Sequence, residues 1–396
     1  MRVFVIGQGY VGLTIAMGAA SVGHEVTGFD INGKLVEALN SGNSHIEGLA
    51  SQDLKRFLEK GNYLASANPS SIGNAEVIVI AVPTPLTEDR EPDLTLLRKA
   101  VQLIQDEMKE SALIINESTS FPGTLRKEIA GRIVGIEHLY ASSPERVDPG
   151  NNQWNTKNTP RLIGGLTPES VAKAKAFYLS FCDTVIEVSS PEVAEAAKTF
   201  ENTFRQVNIA LVNEFIQIAD ALGISGREVI EAAATKPFGF MKFTPGPGVG
   251  GHCIPIDPTY LAYIANEVGV PATFIKRANE VNLGMPSYVV KKAIAAYGGS
   301  VRGKSVVVVG VAYKPNVSDT RETPAAAIVD QFRVEGAIVS WNDPFVSTWR
   351  GEQSSELGLY DLAIVVTKHD VVNIKDIEKS SYVFDCTGSI AGADGI

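Results

Sequence analysis

Seven residues, Pro245-Gly246-Pro247-Gly248-Val249-Gly250-Gly251, hold four glycines and two prolines, and a cysteine, Cys253, follows one residue later, after His252. Proline fixes φ and glycine removes the side chain, so such a run forms an irregular backbone that can lie close against a ligand. A thiolate beside it could add to an aldehyde, and the resulting thiohemiacetal could surrender a hydride to leave a thioester. A lone cysteine is more often a small buried hydrophobe. The glycine loop brings the reactive reading level with the packing one. Cys182 and Cys386 lie in or beside apolar strand-like runs and are read as packing. His252 would point away from Cys253 in an extended segment, so it is read as shaping the loop rather than as a general base.

A hydride acceptor is suggested at the other end of the chain. Gly7-Gln8-Gly9-Tyr10-Val11-Gly12 follows the apolar run Val3–Ile6 and opens an apolar stretch with helical spacing. In the strand–turn–helix context of dinucleotide sites, one glycine permits the turn, one lets the backbone approach a pyrophosphate, and one lets helix and strand pack closely. The next strand-like run, Glu25–Phe29, ends at Asp30, eighteen residues after Gly12. A carboxylate there accepts hydrogen bonds from a ribose diol and repels a 2′-phosphate, which favours NAD over NADP. The later run Val306–Val309 is followed by Gly310-Val311-Ala312-Tyr313-Lys314-Pro315, without that glycine pattern. That half is expected to bind something other than a dinucleotide.

The elements that would carry these residues alternate strand and helix. Val3–Ile6, Glu25–Phe29, Val77–Val82, Leu113–Asn116, Leu139–Ala141 and Thr184–Val188 read as strands, with Val147–Pro160 as a loop. Ser305–Val309, Ala337–Trp341, Leu362–Val366 and Tyr382–Asp385 form a second series around a helix from Pro324 to Glu335. Between them, Pro191 to Leu222 contains no further proline and no glycine, and apolar residues recur every three or four positions. Ser189 or Ser190 can cap it, Pro191 suits its first turn and Gly223 stops it. At 1.5 Å per residue this helix runs roughly 45 Å, long enough to link two domains and pack against a second subunit. The expected fold is therefore α/β, two Rossmann-like doubly wound domains joined by a long central helix. The expected segments are 1–188, a central helical region 189–300 carrying the cysteine loop, and 301–396.

Composition narrows the partners. A chain of 396 residues with net charge −10 and no basic stripe is unsuited to nucleic acid. Three distant cysteines give neither a disulfide framework nor metal spacing, so no metal is expected. No secretory leader or apolar run of membrane-spanning length is present, so the protein is expected in the cytoplasm and off the membrane.

Several motifs together resemble one family, the UDP-glucose/GDP-mannose dehydrogenases, over nearly the whole chain. They are Gly7–Gly12, Ala81-Val82-Pro83-Thr84-Pro85, Glu117-Ser118-Thr119, Ser143-Pro144-Glu145-Arg146, Lys198 with Asn202, Gly250-Gly251-His252-Cys253 with Asp257, and Lys314 with Asp319-Thr320-Arg321. The resemblance implies two successive NAD-dependent oxidations at C6 of a nucleotide sugar, and a homodimer formed through the central helix. It implies cofactor contacts from Gly7, Gly9, Tyr10, Val11, Gly12, Asp30, Pro83, Thr84, Ser118, Thr119 and Arg321. Lys198 and Asn202, four apart on one helix face, would stabilise the alkoxide and oxyanion. Asp257 with Thr119 would position the water that hydrolyses the thioester, and Glu145 would do acid/base or ordering work. Glu145, Arg146, Val147, Lys198, Asn202, Lys242, Pro245, Gly246, Gly248, Gly250, Tyr313 and Lys314 would line the substrate, a UDP-sugar.

Some positions depart from the family pattern. Leu35 stands where relatives often carry a base, and Lys34 is expected to substitute. The arginine that many relatives place upstream of the glycine loop has no clear match, leaving Lys236 or Lys242, and Asp385-Cys386-Thr387 replaces a C-terminal Asp-x-Arg. His252 and Ile256 stand where glucose and mannose enzymes carry Ser and Lys, which resembles the branch acting on UDP-N-acetylmannosamine or UDP-N-acetylglucosamine. The alternatives are a UDP-glucose or GDP-mannose 6-dehydrogenase, a simple two-electron hydroxyacid dehydrogenase that needs no cysteine, and an inactive NAD-sensing protein.

Overall fold

The structure is a computed structural model that describes residues 1–46, 49–148, 151, 153–251 and 253–396. His252 lies outside the described residues, as do Pro149 and Gly150. The chain forms two compact units, Met1–Glu201 with Thr259–Val270, and Asn202–Pro258 with Pro271–Ile396.

The first unit is built on eight strands: β1 (Arg2–Ile6), β2 (Glu25–Phe29), β3 (Tyr63–Ser66), β4 (Val77–Ile80), β5 (Leu113–Asn116), β6 (Leu139–Ser142), β7 (Arg161–Gly165) and β8 (Val185–Glu187). Their order is β3-β2-β1-β4-β5-β6-β7-β8. Pairing is parallel from β3 through β6, antiparallel between β6 and β7, and parallel again between β7 and β8. β4 and most of β5 are unbroken apolar runs buried along their whole length, as strands covered on both faces must be. Helices α1 (Tyr10–Ser21), α2 (Gly33–Asn40), α3 (Ser51–Glu59), α4 (Thr95–Glu107) and α5 (Pro168–Leu179) accompany the sheet. Leu13, Ile15, Phe177 and Tyr178 lie in its core. The chain order reverses between β1 and β4, the switch point at whose strand ends doubly wound sheets bind ligands. β3 and β7 were not expected: β3 has no β-branched residue, and β7 follows a Pro- and Asn-rich loop and ends in two glycines.

Helix α6 (Pro191–Leu222) is continuous over the expected span. Its entry is fixed locally. A Cβ on Gly164 of β7 would stand 2.2 Å from the Ser190 carbonyl, so glycine is what lets the strand pass the helix start.

In the second unit α7 (Gly226–Ala234) follows α6, α8 (Asp257–Glu267) begins, and α9 (Thr273–Tyr297) leads to the second sheet. From there the chain runs through β9 (Ser305–Val309), α10 (Pro324–Val334), β10 (Ile338–Asn342), a separate two-stranded hairpin of β11 (Thr348–Trp349) and β12 (Glu352–Gln353), β13 (Leu362–Val365), α11 (Ile374–Ile377), β14 (Val383–Asp385) and β15 (Asp394–Gly395). The order is β10-β9-β13-β14-β15, all parallel. Val306, Val308, Phe332, Trp341 and Phe384 fill its core. Two doubly wound sheets and one long helix are thus present, as the alternating pattern predicted. Among the described residues no helix is long and apolar enough to cross a membrane, and no group of three or more His, Cys, Asp or Glu could hold a metal.

Candidate active site

In the first unit the three fingerprint glycines do different things. Gly7 has φ +91°, and a Cβ there would stand 2.4 Å from the Ala81 carbonyl. A Cβ on Gly12 would stand 1.8 Å from the Gly7 carbonyl, so helix and strand touch there. Gly9 has open space where its Cβ would be, and α1 starts from it without a side-chain cap. An exposed backbone at an uncapped helix start is what a pyrophosphate needs, so these residues fit NAD. Asp30 is oriented by backbone: one carboxylate oxygen accepts from Gln8 N–H at 2.9 Å, the other from Asn32 N–H at 2.9 Å. Gln8, unremarked in the sequence, is fully buried; its amide donates to Val5 and Gly7 carbonyls and its oxygen accepts from the Tyr63 hydroxyl at 2.9 Å. A Cβ on Gly28 would stand 2.3 Å from that oxygen, so a glycine inside a strand was the available signal. Lys34 is exposed in the first turn of α2.

The loops after β4, β5 and β6 are stitched together. Ser118 donates to the Val82 carbonyl at 2.8 Å, and its oxygen accepts from Val82 N–H at 2.9 Å. The Thr84 hydroxyl donates to the Thr119 carbonyl at 2.8 Å, and Tyr260 of α8 donates to the Thr84 carbonyl at 3.0 Å. Pro83, Thr84, Ser118 and Thr119 are therefore neighbours, with the Ser118 and Thr84 hydroxyls committed within the protein. Arg146 is likewise engaged, by Glu201 and by the Pro160 carbonyl. Tyr10 stands near Glu145: burial first, then the charges of Glu145 and Asp148, push its hydroxyl up to about 12.

Glu145 is buried, and Arg146 and Val147 N–H donate to one of its oxygens at 2.7 and 2.9 Å. Arg161 of β7 donates to the other at 2.8 Å. Burial alone would raise this carboxyl, but the Arg161 charge and the backbone donors outweigh it and hold it below the usual carboxylate range. Glu145 is thus a fixed anion. Arg161, which sequence reading passed over, also donates to both oxygens of buried Glu117. Burial pushes Glu117 up to about 7 despite that guanidinium. Lys198 is half-buried on α6.

The second unit assembles the other residues. Asn202 of α6 donates to Asp257, the first residue of α8, and both are buried. The Cys253 carbonyl accepts from Ile256 and Asp257 N–H at 3.1 and 2.8 Å, so Cys253 and Asp257 bracket one tight turn, with Cys253 exposed. Gly250 and Gly251 lie against Tyr313: a Cβ on either would stand 2.8 Å from its side chain. Gly251 N–H donates to the Arg321 carbonyl at 2.9 Å, and Cys253 lies within the electrostatic reach of the Arg321 guanidinium. That guanidinium is paired with Asp319, and Lys314 lies over the Tyr313 ring at 5.6 Å. Lys242 is exposed and paired with Glu231, while Pro245 is buried. Gly246 N–H donates to Asn213 of α6 at 3.0 Å, and Asn213 donates to Asn282 of α9 at 3.0 Å. Asn213 escaped notice because one asparagine within an apolar helix face gives no motif. Gly248, with φ +135°, approaches the Asn282 carbonyl.

Three profiles of one family match the chain: the NAD binding domain of the UDP-glucose/GDP-mannose dehydrogenase family over residues 1–182, its central domain over 192–283, and its UDP binding domain over 307–391. The chain is 35% identical over 393 residues to a UDP-N-acetyl-D-mannosamine dehydrogenase from Pyrococcus horikoshii, covering 96% of this chain and 93% of that protein. It is 33% identical to a UDP-N-acetyl-D-glucosamine 6-dehydrogenase from Pseudomonas aeruginosa, covering 97% of this chain and 95% of that protein. The solved structure of a UDP-D-ManNAc dehydrogenase from Pyrococcus horikoshii superposes with a TM-score of 0.90 at 33% identity, covering 100% and 99% of the two chains.

The cysteines differ in environment, which sets their reactivity. Burial pushes the Cys182 thiol up to about 11 and Cys386 higher still, whereas Cys253 is exposed. Native protein treated with iodoacetamide should take up one carbamidomethyl group, mapped by peptide mass to Cys253, and three after unfolding in urea. Equal labelling of Cys182 or Cys386 in the native state would contradict this assignment.

Proposed function

The chain belongs to the UDP-glucose/GDP-mannose dehydrogenase family and is an NAD-dependent nucleotide-sugar dehydrogenase, and from this premise we propose that it oxidises the C6 alcohol of a UDP-N-acetylhexosamine to a carboxylate through a thioester on Cys253. The observation that carries the mechanism is the bond from Asn202 to buried Asp257 at the end of the turn that Cys253 opens. The substrate reading draws on the relatives, named for UDP-N-acetylmannosamine and UDP-N-acetylglucosamine, and on His252 and Ile256 in this chain.

The chemistry balances as two oxidations and one hydrolysis. The alcohol loses a proton and a hydride to give an aldehyde. The Cys253 thiolate adds to its carbonyl carbon, and loss of a second hydride from that adduct leaves the thioester. Water then attacks, the carbon–sulfur bond breaks, and the thiolate returns. NAD, when bound, accepts each hydride. Lys198 stabilises the alkoxide by charge, and Asn202, with a second amide N–H beside the one given to Asp257, donates to the oxyanion. Asp257 and Thr119 orient the water, and Glu145 acts as the ordering anion. The cofactor rests on Gly7, Gly9, Gly12 and Asp30, and Lys314 and the Gly246–Gly250 loop hold the substrate. We read the enzyme as cytoplasmic: three cysteines far apart in sequence suggest no disulfide framework.

We read residues 189–300 as the dimerisation region between segments 1–188 and 301–396. Val193, Phe200, Phe204, Leu211, Ile218 and Leu222 are exposed on α6. Their spacings of seven and four confine them to one stripe of about 40° on a helix of 3.6 residues per turn. A second copy of the helix, rather than water, is its expected neighbour.

NADH formation against UDP-N-acetylmannosamine, UDP-N-acetylglucosamine, UDP-glucose and GDP-mannose tests the reaction. One of the first two should turn over fastest and give two NADH per sugar; one NADH per sugar would contradict the mechanism. Cys253→Ser should nearly abolish carboxylate formation, and Lys198→Ala should lower kcat on the order of 10²–10³-fold. For assembly, a Phe200→Glu/Leu211→Glu variant should sediment as a monomer where the parent sediments as a dimer. An unchanged sedimentation coefficient would count against the stripe.

A further inference from the structure

Arg161 is the most heavily committed buried cation among the described residues, and none of the proposed chemistry uses it. It is 4% exposed at the start of β7, the strand that runs antiparallel to β6. One terminal nitrogen donates to Glu117 at 2.5 and 2.7 Å, and the other donates to Glu145 at 2.8 Å. The guanidinium carbon lies 4.6 Å from the centre of the Tyr178 ring on α5, and the Tyr178 hydroxyl donates to Glu117. Glu117 leads directly into Ser118 and Thr119 after β5, whereas Glu145 lies in the loop after β6. Backbone bonds from Ser143 N–H to the Asn116 carbonyl at 2.9 Å and from Glu145 N–H to the Glu117 carbonyl at 3.5 Å bring the two loops together, and the planar fork fixes where their carboxylates point.

Stability does not explain such a cluster. Burying two carboxylates and one guanidinium is costly, and apolar side chains of similar volume commonly stabilise a fold as well or better. What a bidentate fork adds is geometry: fixed donor directions and a fixed spacing between the groups it grips. We propose that Arg161 is a positioning residue that sets the spacing between the Thr119 turn and the Glu145 carboxylate for the hydrolysis of the enzyme-bound acyl group, with Glu117 as its counterweight. The inference rests on the thioester reading above.

The cluster also divides its charge unequally. Around Glu117 and Glu145 stand Arg161, the Tyr178 and Tyr10 hydroxyls, Ser143 and the Cys182 thiol, with Asp148 near Tyr10 and the Arg146 guanidinium paired to Glu201. Arg161 is the cation bonded to both acids, and these three ions sum to −1 when both acids are ionised. Glu145 keeps its charge, and Glu117 takes up a proton at about 7, driven first by burial and further by Glu145. As pH rises through that value, a second negative charge forms beside Glu145 and strengthens it as an acceptor for the water it orders. Hydrolysis should therefore quicken with pH across this range, whereas the two hydride transfers need not.

Rapid-quench kinetics with the preferred UDP-N-acetylhexosamine separate NADH formation from release of the carboxylate. In Arg161→Met, NADH should form in the first turnover within about threefold of the wild-type rate while release slows about 100-fold, as expected when a reacting group is misplaced by roughly 1 Å. The acyl group should then accumulate on Cys253. Arg161→Lys, which keeps the charge without the fork, should recover part of the release rate. Glu117→Gln should lose the rise in release near pH 7 and keep its KM. Parallel loss of both phases in Arg161→Lys and Glu117→Gln would overturn the proposal and leave Arg161 a packing residue. A wild type that forms no acyl-enzyme would instead overturn the thioester reading, and this inference with it.

Discussion

A carboxylate taken out of water must be answered by donors, and in this acidic chain the donors that answer it shape the loops at the strand ends. Asp30 gathers the N–H groups of Gln8 and Asn32 and so holds the turn after β1 against the end of β2. Glu195 of α6 accepts from Gly123 and Leu125 N–H and ties the chain after Thr119 to the long helix. In the second unit Asp343 accepts from Val311 and Ala312 N–H and from His369, whose other ring nitrogen accepts from Asn316, so the Tyr313–Lys314 segment is held at both ends. Asp385 does the same for Thr387 and Ile390. In each case one buried or half-buried carboxyl group fixes a loop by gathering its N–H groups.

The same constraint separates two kinds of acid. Where backbone N–H groups or a guanidinium surround the carboxylate, as at Glu145 and Asp343, the charge is held and the group serves as a fixed electrostatic feature. Where burial wins, as at Glu117 and Glu195, both pushed up to about 7, the group can carry a proton under physiological conditions. Asp257 is set apart by its place: it accepts from the Asn202 amide and closes the turn that Cys253 opens.

How much of this was legible in the sequence follows from the range of each signal. The long helix could be bounded because Pro191 and Gly223 punctuate an unbroken apolar period, and Gly7–Gly12 with Asp30 could be read because turn, helix start and strand end lie within thirty residues. Cys253 stood out only through its glycine loop. By contrast β7 was missed, and with it Arg161, whose two partners are 44 and 16 residues away in sequence. Gln8 with Tyr63, and Asn213 with Gly246, escaped for the same reason: each is an ordinary polar residue until the fold supplies its partner. Arg146 and Arg321 read from sequence as ligand-binding cations, and their protein partners, Glu201 and Asp319, became visible only in the fold.

The proposed reaction turns on a covalent bond between the substrate carbon and Cys253, and mass spectrometry can weigh it directly. An Asp257→Asn enzyme, mixed with NAD and the preferred UDP-N-acetylhexosamine and quenched in acid during turnover, should carry one acyl-sugar adduct per subunit. Peptide mapping should place it on Cys253. Steady carboxylate production with no adduct at any quench time, or an adduct mapped to another residue, would contradict it.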